Sequence, residues 1–186
     1  MGRDYVKIYV TGAILICSAC VLLTISLFKK NDSFFNLREI FKQHFLLFRD
    51  ARLQYLTFYV YPMILAVGIS CFYIADATFY ENLNVIVSIL ISMLLAIYSI
   101  LAGKDIEKYD ENRKVKIKTV IKETNNAITF SVVISIFLMF LSLVMVALGD
   151  IQYNILAMVF SILVYYLFIV LLLNILLIVK RLGKLV

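Results

Sequence analysis

Few residues of this chain carry reactive chemistry, and their spacing limits what each can do. Cys17 and Cys20 stand in "CSAC", formally a C-x-x-C pair, and Cys71 stands alone. Redox and zinc sites need such a pair at a strand–turn–helix junction or beside further ligands. Here all three thiols fall inside apolar runs, so core packing is their expected role. His44 is the sole histidine. One imidazole does not make a metal site, and no Ser or Cys nucleophile joins it in a recognisable motif. It flanks an amphipathic stretch and is expected at the surface. Asp76, Glu81 and Asp150 are too few and too dispersed for phosphoryl chemistry, and neither HExxH nor GxSxG occurs. The chain reads as non-enzymatic and asks for no metal and no cofactor.

The elements that position these residues follow from the distribution of charge. Of the 186 residues, 63% are hydrophobic, where a soluble domain has about 45–50%. Five runs carry no charged residue: Ile8–Phe28, Tyr55–Ala75, Leu83–Gly103, Ala127–Gly149 and Ile151–Val179. Each exceeds the roughly 18–20 residues that span about 30 Å of hydrocarbon. A charge at the centre of a span costs about 2.5–3.5 kcal/mol, whereas each Leu, Ile, Phe or Val returns about 0.3–0.6. The expected fold is therefore all-α and polytopic, a single membrane domain with five transmembrane helices at 8–28, 55–75, 83–103, 127–149 and 151–179. The first run has small residues near its end, as cleaved signals do. It is nevertheless longer than the usual 7–15-residue apolar core of a signal peptide, so a retained signal-anchor is expected.

Lys and Arg set the orientation. Counted from the N-terminus, the segments outside the runs hold 2, 6, 0, 7, 0 and 3 of them. With the basic segments cytoplasmic, the N-terminus lies outside and the C-terminus inside, although Arg3 and Lys7 pull the first run the other way. The net charge of +6 then splits by topology and is no signature of nucleic-acid binding. Anionic lipid at the cytoplasmic leaflet adds attraction of about 1 kcal/mol per adjacent Lys or Arg.

Two segments between the runs are rich in charge. In 31–54, "NLRE" forms a capping box, with Asn36 accepting from the Glu39 amide and Glu39 reaching back. Leu37, Phe41, Phe45, Phe48 and Tyr55 recur at helical spacings, while Arg38, Lys42, Arg49 and Asp50 largely face the other way. That pattern predicts an interfacial amphipathic helix with its Phe face in lipid or against the spans. Arg38, Lys42, Arg49 and Arg52 are its candidate contacts to a partner. The segment 104–126 is a solvated basic stretch or a partner-binding arm, with Arg113, Lys114, Lys116 and Lys118 as its candidate contacts. Its first half suits a charged helix. "KVKIKTVIK" alternates and fits either a short strand or a cytoplasmic extension of the following helix.

Within the spans the polar residues are hydroxyls and amides, with no Asp, Glu, Lys, Arg or His. Ion-coupled transporters place ionisable groups at membrane depth, which argues against that class. Ser88, Ser92 and Ala96 recur every four residues, as do Ala127, Ser131 and Ser135. Such rows let helices approach closely, within one subunit or between subunits. Lining a narrow polar path is the other reading. Asn174, six residues before Lys180, is expected to be buried and to favour self-assembly by bonding across an interface. Pro62 in "FYVYPMILAVG" pushes against the carbonyl of Phe58. The helix either kinks there, as a hinge at the cytoplasmic interface, or restarts with Pro62 in its first turn.

The Ile-, Lys-, Asn- and Tyr-rich style is similar to that of AT-rich bacterial genes. The segment "FKQHFLLFRDARLQYLTFYVYPMILAVG", residues 41–68, and the short polytopic layout resemble the membrane component of Kiwa-type antiphage defence. The resemblance implies an inner-membrane homo-oligomer that acts as scaffold or sensor and recruits a cytosolic protein. A small channel or a membrane-permeabilising effector is the alternative expectation.

Overall fold

The structure, a computed structural model, describes residues 18, 37–46, 56–104, 111–148 and 154–183. These residues form five α-helices and one π-helical turn: α1 at Leu37–Leu46, the π turn at Leu56–Val60, α2 at Tyr61–Phe72, α3 at Ala77–Ala102, α4 at Glu111–Leu148 and α5 at Asn154–Leu182. The chain divides into two compact units, Met1–Lys42 and Gln43–Val186, and each is considered by itself. The first contributes the N-terminal part of α1. The second contains the last turn of α1 and everything after it.

Among the described residues, three helices are long and apolar enough to cross a membrane: Ala77–Ala102, Arg113–Ala147 and Ile155–Leu182. The protein is thus all-α and multi-pass, and among the described residues three of the five expected spans meet that length and composition. The run 8–28 lies outside the described residues apart from the helical, exposed Ser18. The run 55–75 gives only the apolar helix Leu56–Phe72. Its end has a local cause. Tyr73 adopts φ −144° and ψ 116° and closes α2, and Asp76 is extended at φ −99° and ψ 176° as the N-cap of α3. A count of uncharged residues runs through this extended link without registering it.

Pro62 falls in the first turn of α2, directly after the π turn. Proline lacks an amide and crowds the carbonyl four residues earlier. A widened turn absorbs both defects without ending the helical path. Of the two expectations, the placement of Pro62 in the first turn of α2 matches the restart.

Helix α4 settles the alternation of "KVKIKTVIK". It is continuous over 38 residues, about 57 Å, and so extends the apolar run well toward its N-terminus. Ile117 and Ile121, four apart, join a core cluster with Leu94, Leu101, Ala127, Ile128 and Ile178. Lys116 and Lys118 point away and are exposed. The segment had both periods available, and packing against α3 and α5 selects the helical one.

The cluster also sets the registers. Leu94 and Leu101, late in α3, share it with Ile121, Ala127 and Ile128 in the first half of α4, so these helices, joined by a short link, run antiparallel. Arg181 of α5 pairs with Glu123 of α4 at 3.5 Å, which makes those two helices antiparallel as well. Helix α2 packs against α5, and the Ala75 amide donates to Ser161 Oγ at 3.0 Å near the start of α5.

Candidate functional site

The bundle formed by residues 43–186 has two chemically different ends. At one lie the C-termini of α3 and α5 and the N-terminal half of α4, with Lys104, Arg113, Lys114, Lys116, Lys118, Lys122, Lys180 and Arg181. Arg113, Lys116 and Lys118 are exposed. Lys114 is partly covered and pairs with Glu111 at 3.8 Å. At the other end stand Asp76 and Glu81, both exposed. In the first unit Lys42 is exposed, and Arg38 lies on α1. Arg49 and Arg52 fall outside the described residues, as do Asn36, Phe48 and Tyr55.

His44 does not lie at the surface as expected. It is 1% exposed, and its ring stacks on Phe130 of α4 at 3.7 Å between centroids, 8° from parallel. Burial, and then the nearby Arg181 guanidinium, hold its pKa down to about 4, so the imidazole is neutral at neutral pH. Arg181 is itself engaged by Glu123. This cluster, contributed by α1, α4 and α5, is a feature that sequence reasoning missed. A signal was present: His44 is three residues from Phe41 and seven from Leu37, on the helix face assigned to lipid. Polarity had excluded it from that face. Phe45, placed on the apolar face from sequence, is more exposed than His44 and stacks on Tyr59 of the π turn at 5.1 Å.

The opposite end is tied by aromatic rings. Phe79 meets Tyr165 edge-on at 5.2 Å and Tyr73 at 6.4 Å. The Tyr165 hydroxyl donates to the Tyr73 carbonyl at 3.4 Å. Asp76 accepts from the Phe79 amide at 2.8 Å. That bond, with the Tyr73 hydroxyl, keeps the carboxyl below its ordinary pKa. The chain therefore passes from His44, beside Arg181, to Tyr73, beside Tyr165. On α5 those two levels are 16 residues and about 24 Å apart. The stretch Leu56–Phe72 covers about 25 Å as a helix, so it follows α5 along most of that distance.

The two rows of small residues take opposite positions. Ser88, Ser92 and Ala96 of α3 face outward and are exposed, whereas Ala127, Ser131 and Ser135 of α4 are fully buried. Asn174 of α5 is fully buried too. Ser88 and Ser92 donate to the carbonyls of Val85 and Ser88 at 2.8 and 3.0 Å, so both hydroxyl protons of this row are paired within α3.

These features define a multi-pass helical membrane protein with one basic end. No protein-family model, no curated protein and no solved structure matches the chain.

Proposed function

We propose that this chain is a non-enzymatic subunit of the bacterial inner membrane that self-associates and presents its basic end to a cytosolic protein. The division of charge between the two ends carries the reading. Exposed Arg113, Lys116 and Lys118 stand at one end, and exposed Asp76 and Glu81 at the other. The tendency of basic segments to stay cytoplasmic orients the first toward the cytosol, with the N-terminus outside and the C-terminus inside. There it also meets anionic lipid. The path of Leu56–Phe72 along α5 supports a further crossing beyond the three long helices, and the run 8–28 supplies the fifth. Pro62 is the hinge between α2 and the interfacial segment.

Self-association is assigned to the outer face of α3. Ser88, Ser92 and Ala96 give it a shallow surface on which a second copy packs more closely than lipid does. A role as scaffold or sensor in phage defence follows from the resemblance of residues 41–68 to the Kiwa membrane component. Capture of the intact protein from native membranes in mild detergent tests the reading. The expected product is an oligomer that carries a cytosolic protein. Arg113→Glu with Lys116→Glu and Lys118→Glu releases that protein and leaves the oligomer. Recovery of a bare monomer overturns both parts.

A small channel or permeabilising effector is the second reading, favoured by the hydroxyl row inside α4. Purified protein in liposomes would then release trapped dye, and retention of the dye rules it out.

A further inference from the structure

Thr124, Ser131, Ser135 and Ser142 stand along α4 at intervals of seven, four and seven, and all four are fully buried. These intervals keep to one face of a helix. The row rises about 27 Å, close to the roughly 30 Å depth of hydrocarbon. Thr124 and Ser131 donate to the carbonyls of Val120 and Ala127 at 2.7 and 2.9 Å. Among the described residues, the hydroxyls of Ser135 and Ser142 have no hydrogen-bond partner.

Helix α5 brings an amide to the same seam. Asn174 is fully buried, and among the described residues neither its Oδ1 nor its Nδ2 has a hydrogen-bond partner. It stands one turn before Ile178, which packs with Ala127 and Ile128. It is also seven residues before Arg181, which pairs with Glu123. Both registers bring Asn174 to the level of Ser131, on the face turned toward α4, one turn from Ser135. On α3, Asn84 Oδ1 is another buried oxygen without a partner among the described residues. Asn84 stands ten residues before Leu94 on α3, and because α3 and α4 run antiparallel it lies toward the Ser142 end of the row.

An amide can make four hydrogen bonds, and burying one with none is among the costlier arrangements a fold can contain. Bonding to a second copy does not answer it, because Asn174 is walled in by its own chain. Internal water does: a buried molecule typically bonds to two to four protein groups that otherwise have no partner, and ordered water serves backbone and side chains inside membrane bundles. We propose that the seam between α4 and α5 binds internal water. The Asn174 amide anchors it with the Ser131 and Ser135 oxygens, and it continues past Asn84 toward Ser142. The result is a neutral polar file inside an apolar bundle, independent of the self-association reading.

Water-edited solid-state NMR of the full chain in bilayers, labelled with 15N at asparagine and 13C at leucine, tests this directly. Asn174→Gln and Asn174→Leu identify the amide signal, and either variant suffices. Magnetisation from water is expected to reach the Asn174 side chain several-fold faster than the methyls of Leu171, which is equally buried in the same core. Ser135→Ala is expected to slow that transfer about twofold. Transfer to Asn174 no faster than to Leu171 overturns the proposal. So does a contact from Asn174 to a neighbouring copy in a sample that mixes differently labelled chains.

Discussion

Helices α3 and α4 carry nearly the same sequence device, and the fold uses it in opposite senses. Each has small residues every four positions, and each is apolar enough to span. Yet the spanning window of α3 is 17% buried and that of α4 is 44%. The reason is placement: α4 lies between α3 and α5 and packs along both, while α3 packs along α4 and touches α5 through side chains such as Phe79 on Tyr165. Spacing therefore identifies a face that permits close approach, and the number of neighbours decides what approaches. On α4 the row is filled by its own chain. On α3 it remains available to another.

The sharpest way to break this comparison is to enlarge one residue of each row. Ser131→Phe forces a ring into a packed core, where overpacking costs about 1–3 kcal/mol. For a chain of this size that lowers Tm by roughly 2–4 °C per kcal/mol. Ser92→Phe is expected to leave the Tm of the detergent-solubilised monomer unchanged and to lower the oligomer fraction on crosslinking in membranes. If Ser92→Phe destabilises the monomer as much as Ser131→Phe does, the two faces are not different.

The two ends of the molecule give a second contrast, through pH. His44 is held at about 4 by burial and by Arg181, against 6.5 or so in an unfolded chain. Between those values the unfolded state binds more protons than the folded one, so stability rises with pH across this window. The docking of His44 on Phe130 is complete above about pH 6.5 and is lost as pH falls toward 4. Arg181 of α5 and Glu123 of α4, paired at 3.5 Å, are the charged groups that face His44. Thermal unfolding followed from pH 7 to 4 should show the decline, and His44→Phe should flatten it while keeping the stack. An unchanged slope in His44→Phe would assign the decline to another group.

A smaller effect is expected at the exposed start of α4. Glu111 and Lys114 form a surface pair three residues apart, worth about 0.3 kcal/mol. Glu111→Ala should therefore shift the unfolding midpoint by less than 1 °C or so. A larger shift would mean that the start of α4 is held by more than its own helix.

Much of the fold was legible because charge is costly in lipid. The uncharged runs located the apolar part of α4, and both ends of α5 to within about a turn. They also located the end of α3, whose start lies six residues earlier than expected, at Ala77. Two failures have physical causes. Counting uncharged residues took Tyr73–Ala75 into a span because an extended link of apolar residues has the same composition as a helix. Sorting α1 by polarity sent His44 outward because a neutral imidazole stacked on a phenylalanine behaves as an aromatic, and that stack depends on a partner far along the chain. The same limit applies to the small-residue rows: their spacing was visible in sequence, but the neighbours that fill one and spare the other were not. The segment 104–126 was left between strand and helix, and only its contacts with α3 and α5 resolve it.

The opposite use of two similar rows is tested most directly by disulfide crosslinking in native membranes, after Cys17, Cys20 and Cys71 are replaced. Ser92→Cys is expected to link one copy to another on mild oxidation, and Ser131→Cys is expected to remain a single chain. Links between copies at position 131, with none at position 92, would contradict the account.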